Sequence, residues 1–269
     1  MQNNSEITED PKARSSSSGG AVRPTTHLGY KTIEEDRKEE AVREIFDVVA
    51  PAYDLLNDLL SFGMHRWWKL RCIRQAGIKP GMRVLDIASG TCDLAIEFAR
   101  RAGAGCVTAT DINETMLHYG AKRIRDAGVD ARVVVADAER MPFAADSFDV
   151  AIVSFGIRNM THKDIALREM LRVLRPGGRL LVLEFSQCQR WLKPFYDFYS
   201  FHLMPKISQW VAGDGPAYQY LVESIRMHPN QSAFAAMMRE AGFEDVKWKN
   251  FTFGICALHL GRKPETSAR

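Results

Sequence analysis

The chain has 269 residues, of which 46% are hydrophobic and 26% are charged, and its net charge is +3. These values are typical of a globular protein and exclude a fibrous or wholly disordered chain. So small a net charge gives no support to nucleic-acid binding. No apolar run approaches the length that spans a bilayer, and the polar N-terminus lacks the apolar core of a signal peptide. The five cysteines and seven histidines show no C-x-x-C or H-E-x-x-H spacing, which predicts a reduced, cytoplasmic protein without a metal site.

The first part of the chain is predicted to be a tail followed by three helices. Residues 1–24 combine a four-serine run with very few apolar side chains, which predicts a disordered tail. Apolar side chains then recur at the spacing of one helix face, at positions 42, 45, 46 and 49. Pro51 interrupts that pattern and predicts a second helix that ends at Leu60. A third helix is predicted from Met64 to Ala76.

Beyond Gly81, short apolar runs alternate with helix patterns. The runs occupy residues 83–88, 106–110, 131–136, 148–154 and 179–185. This alternation predicts βαβ units and a parallel sheet covered on both faces. Thr161 and Asp164 predict an N-terminal cap for the helix between the last two runs, and the segment 176–178 (Pro-Gly-Gly) predicts a helix stop and a turn.

The C-terminal third completes one predicted α/β domain. A helical insertion is expected at residues 190–226, followed by a last helix around residues 234–241. Two alternating segments, about 245–251 and 253–260, predict a final pair of strands. The predicted domain spans residues 25–263, with a short C-terminal tail at 264–269.

Acidic and hydroxyl side chains recur at the predicted strand ends. Asp86, Asp111 and Asp137 follow the first three strands, Ser154 closes the fourth and Glu184 lies in the fifth. Ligands of open α/β sheets bind outside the carboxyl ends of the strands. The sequence therefore predicts a ligand site at this edge of the sheet.

The loop after the first strand distinguishes two cofactors. Asp111 stands about 20 residues beyond the loop glycine, where an acid binds ribose hydroxyls. A dinucleotide requires G-x-G-x-x-G, but Gly90 is the only glycine of this loop, and Asp86 and Asp93 would repel phosphate. S-adenosylmethionine carries an ammonium, a sulfonium and a ribose diol, which carboxylates complement. S-adenosylmethionine is therefore favoured over NAD, and an NAD-dependent oxidoreductase is the rival hypothesis.

The motifs resemble one family. VLDIASGTCDLA is similar to the first motif of class I methyltransferases. THLGYKTI, YDLLNDLLSFGMHRWWK, DINETML, FDVAIVSFGIRNM, LRVLRPGGRLLVLEFS and YLVESIRMHPNQ resemble the UbiE/COQ5 family of quinone C-methyltransferases, over about residues 25–263. The resemblance implies a Rossmann-like class I methyltransferase fold with a mostly parallel seven-stranded sheet, helices on both faces, an N-terminal helical layer and a helical insertion before the last strands.

The resemblance also implies which residues bind S-adenosyl-L-methionine. The family's contacts fall on Thr91, Asp111, Asp137, Ala138 and Ser154. Asp86 and Gly90 are added by the general class I pattern. Cys92 departs from the family, which has glycine at this position. The cysteine either narrows the pocket and lowers cofactor affinity or is a small residue tolerated at the helix start.

The activity implied by the resemblance is C-methylation of a polyprenylated quinol ring in menaquinone and ubiquinone biosynthesis. Such a ring carbon becomes nucleophilic when a phenolic proton leaves, so an anion-stabilising group or a base is needed. Arg158 is the candidate for phenolate stabilisation or water-mediated proton removal, with Asn159 as a hydrogen-bonding companion; a structural salt bridge of Arg158 is the alternative. Tyr53 and Asp54, at the start of the N-terminal helices, are expected to reach the cleft as its lid. His65 and His202 are alternative bases.

Several aspects of the function stay open at this level. The substrate is a demethylmenaquinol, a 2-methoxy-6-polyprenyl-1,4-benzoquinol, or both. The aromatic stretch 191–203 is expected to line a groove for the prenyl tail, to rest on the inner face of the membrane, or to pack in the core or a dimer interface. A noncatalytic S-adenosylmethionine-binding scaffold in a quinone-synthesis complex is the alternative function. A homodimer is also open.

Overall fold

A seven-stranded sheet lies at the centre of the computed structural model, which describes residues 23–50, 53–206 and 215–265. A separate N-terminal hairpin pairs β1 (Thr25–Leu28) with β2 (Lys31–Glu34). The strands of the main sheet are β3 (Val84–Ile87), β4 (Val107–Asp111), β5 (Arg132–Val135), β6 (Phe148–Ser154), β7 (Leu174–Phe185), β8 (Glu244–Phe251) and β9 (Cys256–Arg262). Their order is β5-β4-β3-β6-β7-β9-β8. The first five strands in this order are parallel to one another, and β9 runs antiparallel to β7 and β8. The predicted mostly parallel α/β sheet is confirmed.

The helices follow the sequence periodicity closely. They are α1 (Lys38–Val49), α2 (Tyr53–Ser61), α3 (Met64–Ala76), α4 (Asp93–Ala102), α5 (Glu114–Asp126), α6 (Lys163–Val173), α7 (Lys193–Phe198), α8 (Gly215–Met227) and α9 (Gln231–Glu240). A π-helical turn, Tyr199–Leu203, extends α7. Left-handed glycines at positions 63 and 77 flank α3, which explains why its predicted bounds agree with the structure. The helical insertion and the last helix are also present.

Both faces of the sheet are covered, as its continuously apolar strands require. On one face, Trp68 of α3 and Phe98 of α4 pack against Val84 and other buried strand residues. On the other face, Met170 of α6 and Phe234 of α9 form a second cluster with the strands. Because both faces are filled by side chains, the open space lies at the carboxyl ends of the strands.

Two local predictions were wrong. The N-cap of α6 is His162, which makes no capping hydrogen bond, so Thr161 does not cap this helix. The segment 176–178 lies inside β7, because Leu174 already pairs with Phe148 before the ladder shifts register and resumes at Arg179. A bulge with Gly177 at φ 74° takes the place of the predicted turn. The predicted N-terminal tail lies outside the described residues, apart from Arg23 and Pro24. Pro51, which is predicted to begin the second helix, also lies outside them.

Candidate functional site

Two connected cavities occupy the carboxyl edge of the sheet. The first cavity, about 480 Å³, lies between α1 and the ends of β4 and β5. The second cavity, about 290 Å³, is enclosed mainly by α2, α3, α7, α8 and the end of β6. Five residues line both cavities: Phe46, Ala88, Gly90, Ser154 and Phe155. A ligand in the first cavity therefore meets a ligand in the second at the ends of β3 and β6, where the strand order reverses.

The glycine loop after β3 is fixed by its neighbours. Ser89 N–H donates to the Thr110 carbonyl oxygen at 2.9 Å, and Gly90 N–H donates to Asp111 Oδ2 at 2.8 Å. Gly90 has φ 53°, and a Cβ there would lie 3.3 Å from the Met116 side chain. The loop thus needs glycine at this position to keep its backbone open to the cavities.

Asp111 ends β4 in the wall of the first cavity. Its Oδ2 accepts from Gly90 N–H, and its Oδ1 accepts from Asn113 N–H at 2.9 Å. Burial raises the pKa of Asp111, and these backbone donors partly offset the increase. Each carboxylate oxygen keeps a second lone pair, so the held carboxylate retains acceptors for a diol.

Asp137 and Ala138 follow β5 and line the same cavity. Glu139 N–H donates to Asp137 Oδ1 at 2.8 Å, and burial raises the pKa of Asp137. Ser154 ends β6 at the junction of the two cavities, and its buried Oγ has no hydrogen-bond partner among the described residues. The predicted cofactor residues are thus brought together at one edge of the sheet, and their individual roles stay predictions.

Asp86 is the unsatisfied acid of the site. It lies within β3 rather than after it, it is 1% exposed, and it lines the second cavity. Neither carboxylate oxygen makes a hydrogen bond of good geometry among the described residues, although the Ala95 N–H lies close enough to lower the pKa of Asp86. Burial raises its pKa to about 7, although the nearby Lys69 opposes the change. A buried carboxylate without a partner is costly, and a cationic ligand group would relieve that cost.

Arg158 lies in the wall of the second cavity, on the turn that follows β6. Its Nη1 contacts Glu184 Oε1 at 3.0 Å and the carbonyl oxygen of Phe155, and its guanidinium stacks over Phe185 at 5.7 Å. Arg158 Nε is buried without a hydrogen-bond partner among the described residues. The structural salt bridge considered for Arg158 is therefore present, and it holds the guanidinium at the cavity wall.

Asn159 is fixed by a residue that the sequence did not single out. Tyr220 Oη donates to Asn159 Oδ1 at 2.9 Å, and burial raises the pKa of Tyr220 to about 12, so the phenol stays protonated. Asn159 lines the first cavity, whereas Tyr220 lines the second. Tyr53 begins α2, but its side chain lies outside the described residues. Its predicted role stays a prediction.

The two candidate histidines occupy different environments. His65 is buried in the wall of the second cavity. Ser61 Oγ donates to the Asn57 carbonyl oxygen at 2.6 Å, so it accepts from His65 Nδ1 at 2.8 Å and leaves Nε2 as the acceptor nitrogen. Burial lowers the pKa of His65, which favours the neutral ring. His202 is exposed, stacks on Phe198 and lines neither cavity, so the structure does not bring it to the site.

Cys92 does not reach either cavity. It is the N-cap of α4 with φ 62°, and its buried Sγ packs against Gly120 of α5. Burial raises its pKa to about 12, so the helix N-terminus does not activate the thiol. The prediction that Cys92 narrows the pocket is not supported by this geometry, because its side chain lies on the far side of the loop. The cost of the cysteine is a left-handed backbone rather than a blocked site.

Sequence reasoning placed Glu184 at the predicted ligand edge without a role, and it missed Lys69. Glu184 fixes Arg158, and its position inside a buried strand was a usable signal, since an acid there requires a partner. Lys69 belongs to a helix whose faces are not cleanly segregated, which concealed its position on the cavity wall.

The geometry fits S-adenosylmethionine better than a dinucleotide. Asp111 offers acceptors for a ribose diol, and Asp86 offers an unpaired buried carboxylate for an ammonium group. The loop has one glycine, and the carboxylates of Asp86 and Asp111 line the cavities beside it, which is unfavourable for a pyrophosphate. The fold and this site together define a class I S-adenosylmethionine-dependent methyltransferase.

Comparison with known proteins identifies the family. The ubiE/COQ5 methyltransferase family model matches residues 34–263. The chain is 52% identical to the ubiquinone/menaquinone biosynthesis C-methyltransferase UbiE of Cupriavidus metallidurans, over 88% of this chain and 98% of that protein. It is 53% identical to the enzyme of the same name from Laribacter hongkongensis, over 89% of this chain and 98% of that protein. This chain therefore belongs to the ubiE/COQ5 methyltransferase family.

Solved structures support the fold alone. A methyltransferase from Thermotoga maritima, described as S-adenosylmethionine-dependent, aligns with a TM-score of 0.57 at 20% identity. The alignment covers 82% of this chain and 99% of that one. At this identity the shared feature is the class I architecture.

Proposed function

We propose that this chain methylates a ring carbon of a polyprenylated quinol, either a demethylmenaquinol or a 2-methoxy-6-polyprenyl-1,4-benzoquinol. The observation that supports this substrate class is the second cavity, which is enclosed largely by apolar and aromatic side chains and joins the first cavity at Gly90 and Ser154. A flat aromatic ring in the second cavity would meet the cofactor's methyl group at that junction. The names of the relatives support the same substrates.

Arg158 is the residue proposed to stabilise the phenolate. When bound, S-adenosylmethionine supplies an already activated methyl group, so the protein has to orient the ring and raise the electron density on its carbon. Glu184 keeps the guanidinium in the cavity wall, and a guanidinium stays protonated at neutral pH. Arg158 therefore acts as a fixed cation, with Asn159 and Tyr220 as neighbouring hydrogen-bonding groups.

Removal of the phenolic proton requires a separate acceptor. His65 lies in the same cavity wall, is favoured in its neutral form and has Nε2 as its acceptor nitrogen. It is therefore the alternative to water-mediated removal beside Arg158. His202 is not a candidate for this step, because it lies outside both cavities.

The prenyl tail is proposed to leave the second cavity along α7. Tyr196 and Tyr199 line the cavity, whereas Phe195 and Phe198 on the same segment are 71% and 58% exposed. Phe62, which is 76% exposed, contacts Tyr199 with ring centroids 5.5 Å apart. Within the described residues no helix has the length and apolar character of a membrane span. We propose peripheral contact of this aromatic face with the inner membrane surface, where the quinol resides.

The quinone profile of a deletion strain tests the function. Accumulation of demethylmenaquinone, of the demethylated benzoquinone, or of both identifies the substrate, and expression of this chain should restore the methylated product. A normal profile in the deletion strain would refute the proposal. If the chain is instead a noncatalytic scaffold, a variant that binds the cofactor but has no turnover should also restore the methylated quinone. A weakened cofactor loop at Cys92 would favour such a scaffold, but the Cys92 side chain lies away from the cavities.

A further inference from the structure

The first cavity is covered on one side by the N-terminal cover, which we define as residues 25–49. It comprises the hairpin β1–β2, a short turn and α1. Glu35 of the turn lines the cavity, and so do Val42, Arg43 and Phe46 of α1. The loops after β4, β5 and β6 form the opposite wall. Since the cover is one wall of the cavity, its attachment affects how fast a cofactor enters and leaves.

His162 joins the cover to the rest of the domain through both of its ring nitrogens. Nε2 contacts Glu35 Oε1 of the cover at 2.7 Å, and Nδ1 contacts Glu139 Oε2 after β5 at 2.8 Å. The backbone N–H of His162 also donates to Glu139 Oε1 at 2.8 Å, which fixes the ring beside Glu139. An ionised carboxylate only accepts hydrogen bonds, so both ring nitrogens must donate. This contact, the His162 bridge, therefore requires the protonated ring.

Loss of the proton breaks the bridge on the side of the cover. The neutral ring has one N–H, and Glu139 holds it at Nδ1, so Nε2 then directs a lone pair towards the Glu35 carboxylate. Hydrogen bonding to Glu139 and, to a smaller extent, to Glu35 raises the pKa of His162 above its ordinary value of 6.5. Because the pKa is raised in the folded state, the stabilisation is complete below pH 6.5 and is lost as the pH rises through the raised pKa.

Two lysines flank the His162 bridge. Lys38 of α1 and Lys163 of α6 both donate to the Met160 carbonyl oxygen, at 3.4 Å and 3.2 Å. Burial lowers the pKa of Lys38, and it lowers that of Lys163 to about 8, while the charge of Glu139 opposes both changes. Lys38 thus adds a second contact between the cover and the domain. Both lysines bond a carbonyl oxygen, so neither replaces the ring at Glu35.

Two further polar contacts hold the ends of the cover. Tyr30 N–H at the hairpin tip donates to Glu223 Oε2 of α8 at 2.9 Å. Asn113 Nδ2, before α5, donates to Asp47 Oδ1 near the end of α1 at 2.9 Å. Both contacts join an amide to a carboxylate and do not depend on a histidine. The turn between the hairpin and α1 is therefore the part of the cover that loosens when the His162 ring is neutral.

We propose that the His162 bridge controls how fast the cofactor enters and leaves the first cavity, with the protonated ring holding the cover closed and the neutral ring releasing it. Because the bridge does not include the cofactor, it slows entry and exit alike and leaves the affinity unchanged. The inference concerns the cofactor cavity and does not depend on the identity of the methyl acceptor.

Surface plasmon resonance with the immobilised full-length chain and S-adenosylhomocysteine measures both rate constants. The His162 side chain is 38% exposed, so water screens the bridge. At about pH 6, His162→Gln should raise the association and dissociation rate constants roughly 3- to 5-fold, the effect of a partly exposed ion pair, with the dissociation constant unchanged. At about pH 9 the parent protein should be as fast as the variant. Comparing the two proteins at the same pH cancels the titration of Asp86 and Lys163.

Control variants separate this role from a general loosening of the fold. Glu35→Ala removes the other side of the bridge, so it should match His162→Gln, and the double variant should be no faster than either. His118→Gln removes an exposed histidine of α5 and should behave like the parent protein. Thermal unfolding checks that each variant folds.

Three results would overturn the proposal. The first is unchanged rate constants in His162→Gln at about pH 6. The second is an increase of the same size at both pH values, which would show that the proton on His162 does not matter. The third is faster dissociation alone with a correspondingly weaker affinity, which would show that His162 contacts the cofactor itself.

Discussion

At the scale of single residues, the buried pair of Arg158 and Glu184 decides whether a cation faces the substrate. Removing only the arginine would leave Glu184 as an uncompensated buried charge and destabilise the fold by about 3–5 kcal/mol. A loss of activity in Arg158→Ala would therefore not distinguish catalysis from unfolding. The informative variant changes both residues to neutral amides of similar shape.

We expect Arg158→Gln combined with Glu184→Gln to lower kcat by roughly 10²–10³, the effect of removing one donor to a developing anion. Affinity for S-adenosylmethionine should be unchanged, since Arg158 does not line the first cavity. Glu184→Gln alone would leave the guanidinium as an uncompensated buried charge, so thermal unfolding of the double variant is the control that it folds. Steady-state kinetics with a quinol and calorimetry with the cofactor measure the two effects. Normal turnover in the double variant would show that the guanidinium is structural only.

Asp86 gives cofactor binding a pH dependence. Its pKa of about 7 means that the carboxyl is largely protonated at pH 6, and the ammonium group binds the ionised form. Affinity for S-adenosylmethionine should therefore fall roughly 5- to 10-fold from pH 7.5 to pH 6, in proportion to the ionised fraction. Asp86→Asn should bind the cofactor at least about 10-fold more weakly and lose this pH dependence. Calorimetry at several pH values measures both.

Asp86 also makes the stability of the ligand-free protein depend on pH, in the direction opposite to cofactor binding. Because folding raises the pKa of Asp86, its favourable contribution is complete at low pH and is lost as the pH rises towards about 7. Without ligand at pH 8, Asp86→Asn should therefore have a free energy of unfolding higher than that of the parent protein by on the order of 1–3 kcal/mol. It should accordingly unfold at a higher temperature. At pH 5 the difference should shrink. An equal difference at both pH values would contradict the assigned pKa.

At the scale of elements, the contact between the glycine loop and α5 fixes the cofactor loop. Cys92 adopts φ 62°, and a Cβ added at Gly120 would overlap its Sγ and lie 3.1 Å from the Gly90 carbonyl oxygen. The small residue on α5 thus accommodates the cysteine. The two positions should be energetically coupled.

We expect Gly120→Ala to destabilise the protein by about 1–3 kcal/mol, the usual cost of overpacking. Cys92→Gly should relieve both the clash and the left-handed strain, so the double variant should recover at least about 1 kcal/mol. Chemical denaturation of the parent, the two single variants and the double variant gives the coupling energy. Additive effects would show that the loop and α5 adjust independently.

The N-terminal elements illustrate how an amphipathic face is used. The apolar face predicted for α1 lines the cavities through Val42 and Phe46 rather than packing against the sheet. His162 connects the segment before α1 to the loop after β5, since it contacts Glu35 at 2.7 Å and Glu139 at 2.8 Å. Hydrogen bonds to these carboxylates, mainly to that of Glu139, raise the pKa of His162 and favour the protonated ring that pairs with both. Ion pairs as well as apolar contacts of α1 thus hold the N-terminal elements over the first cavity.

At the scale of the whole molecule, exposed aromatic side chains are concentrated around one opening. Phe62, Trp191, Phe195, Phe198 and Phe253 are all more than half exposed, and Trp191 contacts Phe253 with centroids 5.1 Å apart. Exposed bases, Arg190, Lys193 and Lys206, belong to the same segment. Aromatic rings beside basic side chains suit an anionic lipid surface.

We expect Phe195→Ser combined with Phe198→Ser to reduce co-sedimentation with vesicles that contain anionic lipid, by roughly 10-fold or more. The same variant should raise KM for a long-tailed quinol and leave KM for a short-tailed analogue and cofactor affinity unchanged. Ile165→Ser removes an exposed apolar side chain on α6, outside this aromatic segment, and is the control. Unchanged vesicle binding would show that this face does not contact lipid.

Local sequence patterns determined most of the fold. The bounds of α3, the limits of β6 and the alternation of strands and helices follow from periodicity and glycine positions, which act over a few residues. The same logic placed Asp86, Asp111 and Asp137 at one edge, because parallel strands bring their carboxyl ends together. The motifs then indicated the family and the cofactor. The hairpin β1–β2 was missed although its two-residue loop begins with the left-handed Gly29, which is a local hairpin signal.

Only the tertiary structure decided which side chains share a cavity. Lys69 and Thr91 lie in different elements, Glu184 reaches Arg158 from another strand, and Cys92 turns towards Gly120 and away from the ligand. None of these contacts has a signature in local periodicity, because each depends on how distant segments pack. Desolvation is equally a property of the folded state, and it is the main cause that raises the pKa of Asp86 towards neutrality. The sequence thus determined the family and the edge of the sheet that carries the site, while packing determined the charge and orientation of the groups within it.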